Sequence, residues 1–237
     1  MQNTQIDSIL PVLRENKSKN IVFVINNPLG YEKYISAVGR ERVMIGFPSA
    51  GGERKNGIVT YFVGRGIAKI IQSTTFGEID GKNTQRLQTI TKIFHNAGFD
   101  PAISKDMNAW QKTHVAFVVP IARALSKFES NNYKLARSRN VIRQMILATR
   151  EGFKAIDDAG IEIEPKKLNY YYHLPIWLLV TLYQIVFNTK IAEYAMAKHT
   201  LVAMDEINTI DNQFRNMYKT SIFTNWNDLH QTTTYTE

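Results

Sequence analysis

The residue whose setting promises most chemistry is Lys112. It closes the run Asp106-Met107-Asn108-Ala109-Trp110-Gln111-Lys112 and leads into His114-Val115-Ala116-Phe117-Val118-Val119-Pro120-Ile121-Ala122, nine residues without a formal charge at neutral pH. A helix that is apolar on nearly all sides is a buried one. Lys112 therefore stands at the edge of a core, one helical turn after Asn108 and on the same face. Partial desolvation disfavours an ammonium's charged form, so such a lysine gives up its proton readily and can serve as a general acid. The plain alternative is a lysine that snorkels to water from the end of a core helix. Residue types alone leave both open.

Other patterns carry less. Gly64-Arg65-Gly66 imitates a dinucleotide loop, but Lys69 stands where the third glycine is needed. A β-like run follows it, not a helix N-terminus that could take a pyrophosphate, so it reads as a hairpin turn. There is no phosphate-binding G-x-x-x-x-G-K-[ST] motif and no G-x-S-x-G nucleophile elbow. The five histidines never fall in H-x-x-x-H or H-x-H pairs, which leaves a metal site without support. With no cysteine in 237 residues, disulfide scaffolds, thiolate zinc sites and cysteine nucleophiles are excluded.

The elements that must position these groups change character near residue 100. Before it the chain reads as α/β: helix at Ile6 to Leu13, a buried parallel strand at Ile21 to Ile25, helix from Tyr31 to Val38 and strand from Val43 to Phe47. Gly51-Gly52 and Asn56-Gly57 are turn signals, and Ile58 to Val63 alternates like a hairpin strand. Ile67 to Ile71 reads as a further strand and Arg86 to Asn96 as a helix. After Pro101, long helical patterns take over: Lys105 to Lys127, Lys134 to Ala159 with Gly160 as cap, Ile176 to Phe187, and Thr189 to Lys219. Tyr170 to Phe187 is the most apolar stretch. His173, Pro175 and Gln184 interrupt it below the roughly 20 residues of a membrane span, so it reads as a core or dimer-interface helix.

Charge does not point to one partner. The net +8 comes from 29 basic and 21 acidic residues, and the excess is spread along the chain. The denser face of Arg139, Arg143, Arg150 and Lys154 reads first as a solvated helix surface, with phosphate or nucleic-acid tracking the lesser reading. The N-terminus has no apolar signal core and no Arg-rich transit pattern, which predicts a cytoplasmic protein.

Four motifs, in order, resemble one family. They are Asn26-Asn27-Pro28-Leu29-Gly30; Gly39-Arg40-Glu41-Arg42-Val43 leading to Gly46-Phe47-Pro48 and Gly51-Gly52; Asp106 to Lys112; and Asn132-Tyr133-Lys134-Leu135-Ala136-Arg137. Their order and spacing are similar to the ketopantoate reductase family, in its broad branch of 2-dehydropantoate 2-reductase-like proteins, over about residues 1 to 230. The resemblance implies a Rossmann-type domain followed by a helical domain of the 6-phosphogluconate-dehydrogenase C-terminal-like type, here 1–102 and 103–237, with the active site in the cleft between them. It implies NADPH-dependent reduction of a 2-oxo acid, ketopantoate to pantoate or a relative. Lys112 matches the family's proton donor to the carbonyl oxygen. Asn27 matches the asparagine that contacts both cofactor and substrate, and Asn108 lies on the substrate side. Glu206 matches the substrate-side glutamate, with a solvated helix carboxylate as its alternative.

Two departures qualify the match. Many family members carry asparagines one and two turns after the lysine; this chain has Ala116 and Pro120, which puts ketopantoate itself in question. The family also opens with a strand, a glycine-rich turn and a helix, and this sequence begins in the helix before a later strand. The cofactor domain is therefore expected to be incomplete, since those glycines let the backbone approach the pyrophosphate. The expectation is a truncated reductase-like chain acting on a 2-oxo acid, with a homodimer as its assembly and no membrane or nucleic-acid partner. The competing class is a non-catalytic helical module that dimerises through Tyr170 to Phe187.

Overall fold

The computed structural model describes residues 2–63, 73–198, 200 and 203–230. The chain divides into two compact units, one of residues 1–50 and 63–111 and the other of residues 51–62 and 112–237.

The first unit is built on a four-stranded mixed sheet. Its strands are β1 (Ile21–Val24), β2 (Val43–Phe47), β5 (Thr75–Gly77) and β6 (Ala102–Ile103), in the order β1-β2-β5-β6. β1 and β2 run parallel, with Ile21 opposite Val43, and so do β5 and β6; β2 and β5 are antiparallel. The sheet is thus mixed where a parallel one was expected, and the two short strands β5 and β6 escaped the sequence reading. Three and two residues are too few to show an alternation. Helices α1 (Ile6–Glu15) and α2 (Glu32–Val38) bury Ile6, Leu10, Tyr34 and Val38 against Ile21, Phe23 and Val43. Helix α3 (Gln85–Asn96) starts at Thr84, whose hydroxyl accepts from Leu87 N, and seats Leu87 on Met44 and Phe76.

Arg42 binds the first unit together at its helix ends. Its guanidinium donates to the carbonyls of Leu13, Arg14 and Asn16, where α1 runs out, and to that of Val38, the last residue of α2. Carbonyls at helix C-termini lack intrahelical donors and carry partial negative charge, so one cation satisfies two helices. Gly46 has a comparable structural reason: a Cβ there would lie 2.6 Å from the Phe76 ring, so β2 and β5 pack only over a bare glycine.

The second unit holds a hairpin, β3 (Ala50–Lys55) and β4 (Ile58–Val63), whose turn residues Asn56 and Gly57 both have positive φ. Gly51 and Gly52 lie within β3, a correction to their reading as a turn. The calls on Gly64-Arg65-Gly66 and Ile67 to Ile71 fall outside the described residues. The rest is helical: α4 (Met107–Ser126), α5 (Asn132–Arg137), α6 (Arg139–Asp158), α7 (Tyr170–His173), α8 (Ile176–Phe187), α9 (Lys190–Ala192) followed by a π turn at Glu193–Ala197, α10 (Met204–Met217) and α11 (Thr224–His230). The helix expected from Lys134 breaks at Ser138, whose ψ of 84° is not helical. The one expected from Thr189 to Lys219 is likewise interrupted, with α10 restarting after Ala203.

One buried cluster fills the helical unit. Its tightest point is Gly152 of α6, where a Cβ would lie 2.6 Å from Trp226 Cζ3 and 3.0 Å from Ala116 Cβ. Its charged centre is Asp211, fully buried, which accepts from Arg123 Nη2 at 2.8 Å, Arg215 Nε at 2.9 Å and Trp226 Nε1 at 3.0 Å, with His230 Nε2 at 2.8 Å. Among the described residues no helix is long and apolar enough to cross a membrane.

Candidate active site

Lys112 is positioned by the way α4 begins. Asp106 caps the helix, its carboxylate accepting from Ala109 N at 2.8 Å. Met107 then fills the space under Gly77, where a Cβ would lie 2.5 Å from Met107 Cγ. Trp110 packs on Phe47 with ring centroids 5.2 Å apart, and Gln111 Nε2 donates to the Ile25 carbonyl at 2.8 Å. Contacts at four residues of the first turn and a half thus fix the helix rotation before Lys112 is reached. Lys112 itself is 6% exposed. It does not snorkel into bulk water; the side chain is held inside and has polar interactions there.

Asn27 lies at the end of β1 and is 5% exposed. Its side chain folds back on its own loop: Oδ1 accepts from Leu29 N at 3.1 Å and Nδ2 donates to the Gly30 carbonyl. Gly30 takes a φ of +89°, and a Cβ there would stand 3.9 Å from Asn108 Oδ1. The loop after β1 and Asn108 are therefore neighbours. Lys112 follows Asn108 by four residues and shares its face of α4. Glu206 belongs to the helical unit, in the first turn of α10, and is 5% exposed. It is a buried carboxylate rather than a solvated one, and it too has polar interactions.

The departures at 116 and 120 have a packing reason. Ala116 is fully buried against Gly152, so this part of α4 is helix–helix contact with no room for an amide. Pro120, also buried, has no N–H, so the Ala116 carbonyl lacks its usual intrahelical donor. Gln111 and Tyr31 were missed by the sequence reading. The Tyr31 hydroxyl lies 3.4 Å from Gln111 Oε1, and burial first, then the Asp106 charge, pushes the phenol far above its ordinary value. Nothing in their spacing signals this, because the partners are 80 residues apart.

A dinucleotide does not find its pyrophosphate cradle among the described residues. The turn from β1 into α2 is filled by the Asn27 side chain, and α2 opens with Glu32, whose charge opposes a phosphate at that helix end. Nor do any three His, Asp or Glu side chains among the described residues group as metal ligands.

No protein-family model and no curated protein matches the sequence. Solved structures do match the fold. D-mandelate dehydrogenase, in a ternary structure with NADH and anilino(oxo)acetate, superposes with a TM-score of 0.68 at 13% identity, over 97% of this chain and 72% of that one. A dimeric ketopantoate reductase from Staphylococcus aureus gives 0.64 at 10% identity, over 97% and 73%. A 2-dehydropantoate 2-reductase from Geobacter metallireducens GS-15 gives 0.52 at 15%, over 86% and 75%. The chain thus has the ketopantoate-reductase-like fold, a small mixed sheet followed by a mostly helical region, over most of its length. The resemblance read from the four motifs holds at the level of fold.

Proposed function

We propose that this chain acts in the reduction of a 2-oxo acid to a 2-hydroxy acid, with Lys112 as proton donor to the carbonyl oxygen. Reducing a carbonyl takes one hydride and one proton. The hydride is the part of a nicotinamide, NADPH by the family resemblance. The protein's own part is the proton: Lys112 Nζ–H gives it to the oxygen as negative charge develops there, and the resulting amine is reprotonated from water. In this reading, which rests on the family resemblance, Asn27 and Asn108 contact the substrate, Asn27 also the cofactor, and Glu206 is the substrate-side carboxylate. The observation that carries the reading is a lysine 6% exposed, one turn after Asn108, in a chain whose fold is that of 2-oxo acid reductases.

The test is NADPH oxidation by the purified chain with ketopantoate and with phenylglyoxylate, beside NADPH binding followed by nicotinamide fluorescence. We expect turnover that falls by about 10²–10⁴-fold in Lys112→Ala, the usual worth of a general acid, while thermal stability is kept. Neither binding nor turnover up to millimolar NADPH would overturn the reading and leave a non-catalytic helical module of the same fold.

A further inference from the structure

We infer that the recess where α10 ends and α11 begins binds a small phosphorylated polyol, such as a sugar phosphate; this does not depend on the reductase reading. The recess encloses about 360 Å³, at the small end of the ~300–1,000 Å³ typical of small-molecule sites. Its cations are Arg215, in the last turn of α10, and Lys219, just beyond that helix. No carboxylate is among the residues that line it. Glu151 of α6 turns instead to Asn225 N and Trp226 N at the start of α11.

The positive charge is what the buried cluster leaves over. Asp211 accepts from both Arg123 and Arg215, and one carboxylate neutralises only one of two permanent cations. Arg215 is also held in place: Nε donates to Asp211 Oδ1 at 2.9 Å and Nη2 to Asn212 Oδ1 at 3.0 Å. Nη1 is uncommitted among the described residues, on a guanidinium whose plane is already fixed. Such a pre-oriented fork of N–H donors matches phosphate oxygens at little entropic cost. A cation past a helix end commonly settles on the terminal carbonyls. Lys219 does not: it has no hydrogen-bond or ion-pair partner among the described residues.

The remaining groups select a hydroxylated body. Asn212 spends its Oδ1 on Arg215, which leaves its amide N–H groups to donate. Asn216, Asn227 and Ser221 line the same recess with side chains that make no bond among the described residues. Amides and hydroxyls both donate and accept, as alcohol groups require of a partner. Phe223, buried and packed on Phe214 and Trp226, supplies one firm apolar wall. Phosphate alone would leave most of these groups unused.

Isothermal titration calorimetry of the full chain with glucose 6-phosphate, at ~50 mM salt, tests this. We expect saturable binding with a dissociation constant below ~1 mM. Glucose should give no saturable heat, and inorganic phosphate should bind at least about tenfold more weakly. Lys219→Ala should raise the constant at least about tenfold, the worth of one charge-assisted hydrogen bond, and Asn216→Ala by a smaller factor. Both positions are exposed, so neither change threatens the fold, whereas Arg215→Ala would disturb Asp211. Lys112→Ala should bind as the wild type does, which separates this site from the proposed proton donor. The inference is overturned by the absence of saturable heat up to ~10 mM, or by binding that Lys219→Ala leaves unchanged or Lys112→Ala abolishes. Equal binding of inorganic phosphate and glucose 6-phosphate that vanishes at ~150 mM salt also overturns it, as the mark of a diffuse ion atmosphere alone.

Discussion

Asp211 shows what a single buried carboxylate does here. Burial pushes its pKa up, but the closeness of His230 and Arg123 outweighs that and holds it at about 2, below the ordinary 3.8. A carboxylate with a depressed folded-state pKa contributes stability that is fully present above its unfolded value and fades as pH falls through the folded one. The contribution should therefore be lost between about pH 4 and pH 2. Asp211→Asn removes the charge and leaves Arg123 and Arg215 without their counter-ion, so we expect a loss of about 3 kcal/mol in urea unfolding at pH 7, with the difference from wild type shrinking toward pH 2. A loss that stays constant across that range would show that the packing of the side chain, not its charge, is what matters. Asp211 is surrounded by partners on its own and adjoining helices, as a structural charge should be.

At the level of elements, close approach governs the helical unit. Replacing Gly152 by Ala raises helix propensity by about 1 kcal/mol. It also drives a methyl to 2.6 Å from Trp226 Cζ3, and Trp226 cannot yield because it is 1% exposed and stacked on Phe214 at 5.4 Å. Overpacking costs about 1–3 kcal/mol, so the steric term wins and Gly152→Ala should lower the melting temperature. An unchanged or higher melting temperature would mean that α6 and α11 separate more easily than their contacts indicate. Asn132 explains another motif position: its Nδ2 donates to the carbonyls of Phe187 and Thr189, closing the C-terminus of α8. With Arg42 and Gly46, this gives three of the family-like motif residues a structural role. Their pattern therefore specifies the fold more firmly than the reaction.

For the whole molecule, net charge is the property most easily over-read. The basic face of α6 is partly engaged by the chain's own groups. Arg139 donates to Gln184, Arg150 to the carbonyls of Tyr171 and Leu174, and Lys154 pairs with Asp158. Side chains engaged this way cannot all track a phosphate backbone. Filter binding at ~150 mM salt should give nucleic-acid affinities no tighter than the ~10⁻⁴–10⁻⁶ M of non-specific association. A nanomolar constant with a steep salt slope would restore the nucleic-acid reading.

The sequence by itself determined the order of elements: α/β, then helices, with α8 matching its apolar run and β2 matching its own. Local periodicity and turn residues carry that information, because each element's apolar face is written along a few consecutive residues. It also placed Lys112 at a core edge, since the charge-free run behind it is local. What only the tertiary structure decided depends on residues distant in sequence: the antiparallel pairing of β2 with β5, the capping of two helices by Arg42, the Gly152–Ala116–Trp226 contact, and the convergence on Asp211. A partner 80 or 88 residues away leaves no trace in local spacing. The same holds for α8, which carries no charge on any side; only folding shows which half is covered and which half is exposed.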